Sequence, residues 1–391
     1  MRPASVAWER ATEVRGAAEG WHRAGVIDAD ARERIHDAYP DPCVTPSPVW
    51  RVLTAAVVSA IALCLFGGLA LATRSEQAGL SLLLLVFAGA AVVATETLEA
   101  RPSLARRGAA GATAFWAVAF LLGAVFVLLA DRHRLDDAID GTLAAGAVAW
   151  AGACWRWGHP LFAGVSAVAL FAFLARLPAG RYSWIAAGAA LAVLAARRLD
   201  HAPWAPSHRH AAAVLLLAGL AAVYAAINAH SIDQRSIEHL SRAGARWGAP
   251  PAGLLLAAMI ATVAFPLAVL RWGLRSRRTL LIDAALVLAL LSAATLGHFV
   301  PLAPLWVVLV LAGGAIVALA MALERALVRA PDGEIRGFTA APLFSDEHRR
   351  LALEVIPAVT TFGPAGPTPT TPDKPLGAGG QFGGGGATER F

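Results

Sequence analysis

Between Val52 and Leu323 the chain repeats one pattern, a long apolar run followed by a short polar cluster rich in arginine. The runs cover residues 52–73, 78–95, 108–130, 138–155, 160–175, 182–196, 211–229, 252–271, 279–297 and 305–323. A helix needs about 20 apolar residues to cross a hydrocarbon layer of about 30 Å. Within that layer the backbone amides must be satisfied inside the segment itself, so runs of this length predict helices. A barrel would need alternation of apolar and polar residues, and Ser81 to Val92 shows none. The expected fold is therefore all-α, a polytopic bundle of about ten spans over residues 50–324. The fifth and sixth runs are short, have arginine nearby and are separated by Pro178. Each either tilts, re-enters, or is held by arginines that snorkel to the interface.

Composition supports this reading. Hydrophobic residues make up 57% of the chain and charged residues 15%, against roughly 45–50% and about 25% in soluble domains. The net charge of +6 is unevenly placed: −2 over residues 1–50, +9 over 51–323 and −1 over 324–391. The positive excess thus lies in the loops between spans, where it orients helices and meets anionic headgroups. A nucleic-acid reader would carry its basic stripe on a soluble element, so no nucleic-acid partner is expected. With residues 1–49 placed inside, fourteen arginines near the spans fall on the cytosolic side and eight on the other, which favours both ends in the cytosol. The first fifty residues are polar; no cleavable signal is expected, and the first span serves as the insertion signal. Eight tryptophans, among them Trp50, Trp157, Trp184 and Trp272, fall at or near span ends, the depth an indole prefers. Glycine and alanine fill the spans, which predicts close helix packing. No internal repeat is visible between the two halves.

Residues 1–49 predict a cytosolic helical hairpin. Trp8, Ala11, Val14, Ala18 and Trp21 form one apolar stripe at three- and four-residue spacing. Gly20 and Gly25 bracket a helix stop, and Asp28 is placed to cap a second helix whose face is Ile27, Ala31, Ile35 and Tyr39. Stripes this small must pack on each other, on the bundle or on a protein partner. The sequence Trp21-x-x-x-Gly25-x-Ile27-Asp28, then Ile35 and Tyr39-Pro40 and then consecutive spans, resembles the domain of unknown function 2157 family of bacterial membrane proteins. The resemblance covers residues 8–40 and, by pattern alone, the first few spans. It implies a cytosolic hairpin ahead of a multi-span bundle and carries no activity or functional residues. Trp21, Gly25 and Asp28, at the expected hairpin turn, are candidate functional residues on their position alone.

The segment 325–391 is expected to lie in the cytosol. Ser345-Asp-Glu-His opens a short helix over about 345–356, with acids in its first turn and Pro357 as its stop. From Gly363 proline and glycine dominate, so no core can form and the end is disordered. Phe382 and Phe391 are either part of that disordered end or anchors for a protein partner.

Candidate chemistry is sparse. Asp283 is the acid well inside an apolar run, close to Arg275, Arg277 and Arg278. A carboxylate in a span costs about 2.5–3.5 kcal/mol at mid-helix, so it is read as a structural ion pair, a proton or ion site, or a water-facing group. Pro266 kinks the eighth run, and its flanks lack the polar partners that a broken-helix binding site wants. His201, His208 and His210 share a loop without an acid or cysteine at ligand spacing, so no metal site is expected. Cys43, Cys64 and Cys154 are far apart, which implies neither disulfide nor zinc. Residues 232–247 place Ile237, Leu240 and Trp247 on one side of a segment read as an interfacial helix. There is no His-Glu-x-x-His, no phosphate-binding Gly-x-x-x-x-Gly-Lys loop and no pair of in-span aspartates, and Gly164-Val-Ser-Ala lacks the second glycine of a rhomboid-type serine motif. No catalytic residue or cofactor is therefore assigned. The expectation is a non-enzymatic membrane protein that acts through its cytosolic ends as a scaffold, sensor or assembly partner. The alternative is a small-molecule or lipid transporter with Asp283 as its in-span ionisable site.

Overall fold

The computed structural model of the chain describes residues 3–23, 25, 27–40, 47–73, 77–101, 108–132, 134–177, 180–199, 206–229 and 254–299, with isolated positions between 307 and 339. A helical hairpin comes first, α1 (Pro3–Arg23) and α2 (Ala29–Ala38). Nine longer helices follow among the described residues: α3 (Pro48–Thr73), α4 (Gln77–Glu99), α5 (Ala109–Arg132), α6 (Leu135–Trp157), α7 (Pro160–Arg176), α8 (Gly180–Leu199), α9 (Pro206–Ile227), α10 (Leu254–Ser276) and α11 (Thr279–Phe299). They correspond one to one with the first nine apolar runs. The only strand pairing among the described residues is short, Glu334–Ile335 antiparallel to Phe338–Thr339. The tenth run, residues 232–247, the helix expected at 345–356 and the end from Gly363 lie outside the described residues, apart from scattered helical positions between 307 and 329.

Local chemistry sets the helix ends. Gly25 takes φ +69 and returns its N–H to the His22 carbonyl, turning the chain after α1. Asp28 then caps α2, its Oδ1 accepting the Ala31 N–H at 2.6 Å. α6 begins with Asp136 and Asp137 in its first turn, where the helix dipole favours acids. It ends at Gly158, φ +72, whose N–H reaches the Cys154 carbonyl at 2.7 Å. Between α10 and α11 the turn is made by Arg277 at φ +53, followed by an Arg278 N–H on the Gly273 carbonyl. α9 starts at Pro206, five residues before the run that marked it, because proline suits the first helical position and polar residues extend the first turn. His208 and His210 therefore stand on a helix and not in the loop expected for them.

The described helices form two compact units. One holds α1 to α6, most of α7 and Val193–Ala218; the other holds Leu174–Ala192 and the chain from Gly219 through α11. In the first, Ala114 and Val118 (α5), Trp150, Ala153 and Cys154 (α6), Phe162 and Ala163 (α7) and Ala211 (α9) share one buried core. A second cluster joins Leu84 and Ala88 of α4 to Phe120 and Ala124 of α5. Ring contacts bind it, with Phe66, Phe87 and Phe120 at centroid separations of 5.3–5.6 Å. Gly108, at φ +84, lies directly against the Arg51 carbonyl, where no Cβ fits. In the second unit α8 and α9 cross backbone to backbone. A Cβ on Gly188 would stand 2.8 Å from the Gly219 carbonyl oxygen, and one on Gly219 would stand 2.6 Å from the Gly188 carbonyl oxygen. Gly273 likewise lets α11 approach α10, with Ile282 and Leu281 about 3 Å from where its Cβ would be.

Small residues line these contacts, and large apolar side chains face outward. Leu53, Val57, Ile61, Leu63, Leu65, Leu69 and Leu71 of α3 are all exposed, Leu71 to 82%. Leaving such side chains in water forgoes about 1.5–3 kcal/mol each, together about 10–20 kcal/mol. That matches or exceeds the whole net stability of a domain, about 5–15 kcal/mol, so this surface faces hydrocarbon. Among the described residues six helices, α3, α4, α5, α9, α10 and α11, are long and apolar enough to cross a membrane. α7 is apolar but shorter, about 26 Å at 1.5 Å per residue. α6 and α8 have the length but carry charge near their ends, Asp136, Asp137 and Asp140 in one and Arg181, Arg197 and Arg198 in the other. The chain is an integral membrane protein with an all-helical fold. More than half of the apolar stretch of α9 is buried and none of that of α3, which makes α9 the most enclosed of the six.

Candidate functional site

Two groups of polar side chains stand out against this apolar background, one in each unit. The first surrounds Pro266, midway along α10. Proline has no N–H, so the carbonyl four residues earlier, that of Thr262, loses its helical partner. Ser292 of α11 supplies one: its Oγ donates to the Thr262 carbonyl at 2.7 Å, while also lying 2.8 Å from the carbonyl of Leu288 on its own helix. The Tyr224 hydroxyl of α9 lies 3.0 Å from Ser292 Oγ. With the serine proton committed to a carbonyl, tyrosine is the donor. Thr262 adds two more bonds, Oγ1 accepting the Ala229 N–H at 3.0 Å and donating to the Ala258 carbonyl at 2.7 Å. Next to these, Asn228 Nδ2 donates to Thr295 Oγ1 at 3.1 Å. Tyr224, Asn228, Thr262 and Ser292 are all buried.

This hydroxyl lattice draws most of its polar groups from neighbouring helices and not from the flanks of Pro266. α10 continues without a break through the proline, and the partners come from α9, α11 and Thr262 itself. Chemically the lattice is neutral. It holds no acid, base or nucleophile pair, and each hydroxyl proton in it is spent on a helix carbonyl or a neighbouring hydroxyl. Such an arrangement fixes three helices in register; it does not present free donors to a solute. Asp283 lies elsewhere, at the fifth position of α11, half-buried and engaged in a polar contact of its own. Nine residues separate it from Ser292, about 13 Å along the helix.

The second group is in the first unit and joins the hairpin to the long helices. Within the hairpin Glu19 lies 3.4 Å from His36 Nε2 and 3.9 Å from Arg32. Arg15 donates to His36 Nδ1 at 3.2 Å, which places the imidazole proton on Nε2, toward Glu19. α1 then reaches the start of α9. Glu9 Oε2 accepts the Ser207 N–H at 3.1 Å, an amide that has no acceptor within its own helix. Glu13 forms an ion pair with Arg209. Between these two residues His208 turns away and donates through Nε2 to the Trp155 carbonyl of α6 at 3.2 Å. The two residues after Trp155 clasp Glu96 of α4: Arg156 at 2.7 Å from Oε2 and the Trp157 indole N–H at 3.1 Å from Oε1. Polar contacts on neighbouring residues thus link α1 to α9, α9 to α6 and α6 to α4.

Trp21, Gly25 and Asp28 come together in the hairpin turn, where Gly25 and Asp28 shape the backbone. Trp21 ends the stripe uncovered, 39% exposed, as is Tyr39 at the end of α2; Ala11 and Ala18 are the stripe residues that are buried. Pro266 and Asp283 sit on α10 and α11, in the other unit. Among the described residues no three histidine, cysteine or acidic side chains gather to hold a metal; His201 and Cys43 lie outside them. His159, in the turn between α6 and α7, accepts the Leu161 N–H on Nδ1 at 3.2 Å and packs on Phe162 at 5.3 Å. Surrounding protein atoms lower its pKa from the ordinary 6.5 by penalising the charged ring, although the residue is exposed.

No sequence pattern singles out Glu96, just past the end of a predicted span, or any member of the hydroxyl lattice except the proline. Comparison with protein-family models, with curated proteins and with solved structures finds no match to this chain.

Proposed function

We propose that this chain is a non-enzymatic protein of the bacterial cytoplasmic membrane that works as a scaffold or sensor, relaying the state of its cytosolic hairpin to its membrane helices. The observation that carries the reading is the seating of Glu9 and Glu13 on the first turn of α9, the most enclosed span. Residues 1–49 and 325–391 lie on the cytosolic side, as the arginine distribution favours. About ten helices cross the bilayer, with α6, α7, α8 and the run at 305–323 joining the six long apolar ones. The resemblance of residues 8–40 to the domain of unknown function 2157 family supports both the hairpin-then-bundle order and the bacterial setting. A partner protein meets the hairpin through its uncovered Trp21 and Tyr39, with the glycine-rich end as a second contact. The hydroxyl lattice, which spends its protons on helix carbonyls, speaks for a locked bundle over a transporter built on Asp283.

The test is a photo-crosslinking amino acid placed at Trp21 or Tyr39 in living cells. A discrete protein adduct at those positions, absent when the probe stands at lipid-facing Leu71, is expected. Adducts to lipid alone, or none at either position, overturn the reading.

A further inference from the structure

Charged side chains take a direct part in holding the hairpin on the long helices. α2 buries none of its residues, and the buried apolar side chains of α1 among the described residues are two alanines, Ala11 and Ala18. Two contacts that join α1 to α9 are a carboxylate on the Ser207 amide and a carboxylate on the Arg209 guanidinium, one helical turn apart on α1. Both bonds are partly open to water, with Arg209 31% and Glu13 49% exposed. The helix start adds its own partial positive charge to the attraction. Attractions of this kind are screened over about 8 Å at physiological salt and about 3 Å at 1 M.

We infer that the hairpin is an ionic-strength-sensitive latch: it is docked on the start of α9 at low salt and released as salt rises. Release frees the Ser207 amide and Arg209, the residues on either side of His208. It thereby loosens the His208 bond to the Trp155 carbonyl and, next along α6, the clasp of Arg156 and Trp157 on Glu96. The latch gives the proposed relay its input, so it rests on that reading of the hairpin. Its physical test needs no partner protein, which keeps the two separable.

Hydrogen exchange of the full chain in lipid nanodiscs reads the latch at the Ser207 amide. In the native chain that amide exchanges about tenfold more slowly at about 50 mM salt than at about 500 mM, after normalisation to α5. Glu9→Gln with Glu13→Gln makes it fast at both. The exchanged pair Glu13→Arg with Arg209→Glu recovers the protection that either single change loses, a recovery that a merely misfolded hairpin would not give. Equal protection at both salts in the native chain, or protection unchanged in the double glutamine variant, overturns the latch. A working latch with no adduct at Trp21 or Tyr39 would leave it standing and defeat the partner reading alone.

Discussion

Ser292 of α11 donates its hydroxyl proton to the carbonyl oxygen of Thr262 on α10, 2.7 Å away, the carbonyl that Pro266 deprives of its helical amide. A proline in a lipid-facing span would leave that oxygen unsatisfied where water cannot reach it. The neighbouring helix supplies the missing donor, and Tyr224 of α9 in turn bonds to that donor.

The relationship predicts a coupling between the two residues. Ser292→Ala alone lowers stability by about 1–2 kcal/mol, the cost of leaving a buried carbonyl unpaired. Once Pro266→Ala has restored a backbone N–H to the ladder at that position, the same serine change costs about half of that or less. Unfolding in detergent, followed for the four chains of the cycle, measures the difference. Equal costs in both backgrounds would show that Ser292 serves some other group.

Gly188 and Gly219 predict a steric contrast. Gly219→Leu forces α8 and α9 apart and costs about 1–3 kcal/mol as overpacking. Gly68→Leu on α3, where nothing lies within 4 Å of a new Cβ, leaves the melting temperature unchanged within about a degree, as expected of a surface substitution. Melting of both variants in the same detergent checks it, and a similar loss from the two would dissolve the crossing.

Much of this architecture is legible in the residues, and for a physical reason. A span declares itself by an unbroken apolar run, because lipid imposes the same demand on every position of the helix. α3, α5 and α11 accordingly start and end within a few residues of the runs that predict them. The α9 start differs, since its first turn, Ser207-His-Arg-His, is polar and its helical state follows from Pro206 and from Glu9, far away in sequence. The hydroxyl lattice was hidden for a related reason. Tyr224, Thr262 and Ser292 are lone polar residues on three different helices, with no spacing to link them. The available signal was Pro266, which implies an orphaned carbonyl at Thr262 and hence a donor somewhere on a neighbour. Glu96 was hidden because its partners, Arg156 and Trp157, are 60 and 61 residues away.

His159 predicts a pH dependence of a definite sign. Its pKa is depressed in the folded chain, so well above 6.5 the ring is neutral in both folded and unfolded states and contributes nothing to the slope. Below 6.5 the unfolded chain takes up the proton more readily, and stability falls until the native ring is protonated too. Thermal unfolding between about pH 5 and 7 shows this fall in the native chain and a shallower one in His159→Phe. A steeper fall in the variant would reverse the sign.

The central claim, that lipid and not water covers the outward apolar face, is tested most directly at Cys64, an exposed thiol on α3. In nanodiscs, a charged maleimide that stays in water has access to both faces of the membrane. Cys43, in the polar segment before α3, is labelled while Cys64 is not, and Cys64 reacts once the bilayer is dissolved in SDS. Labelling of Cys64 in the intact bilayer at the rate of Cys43 would mean that water bathes this face, and the membrane assignment would be wrong.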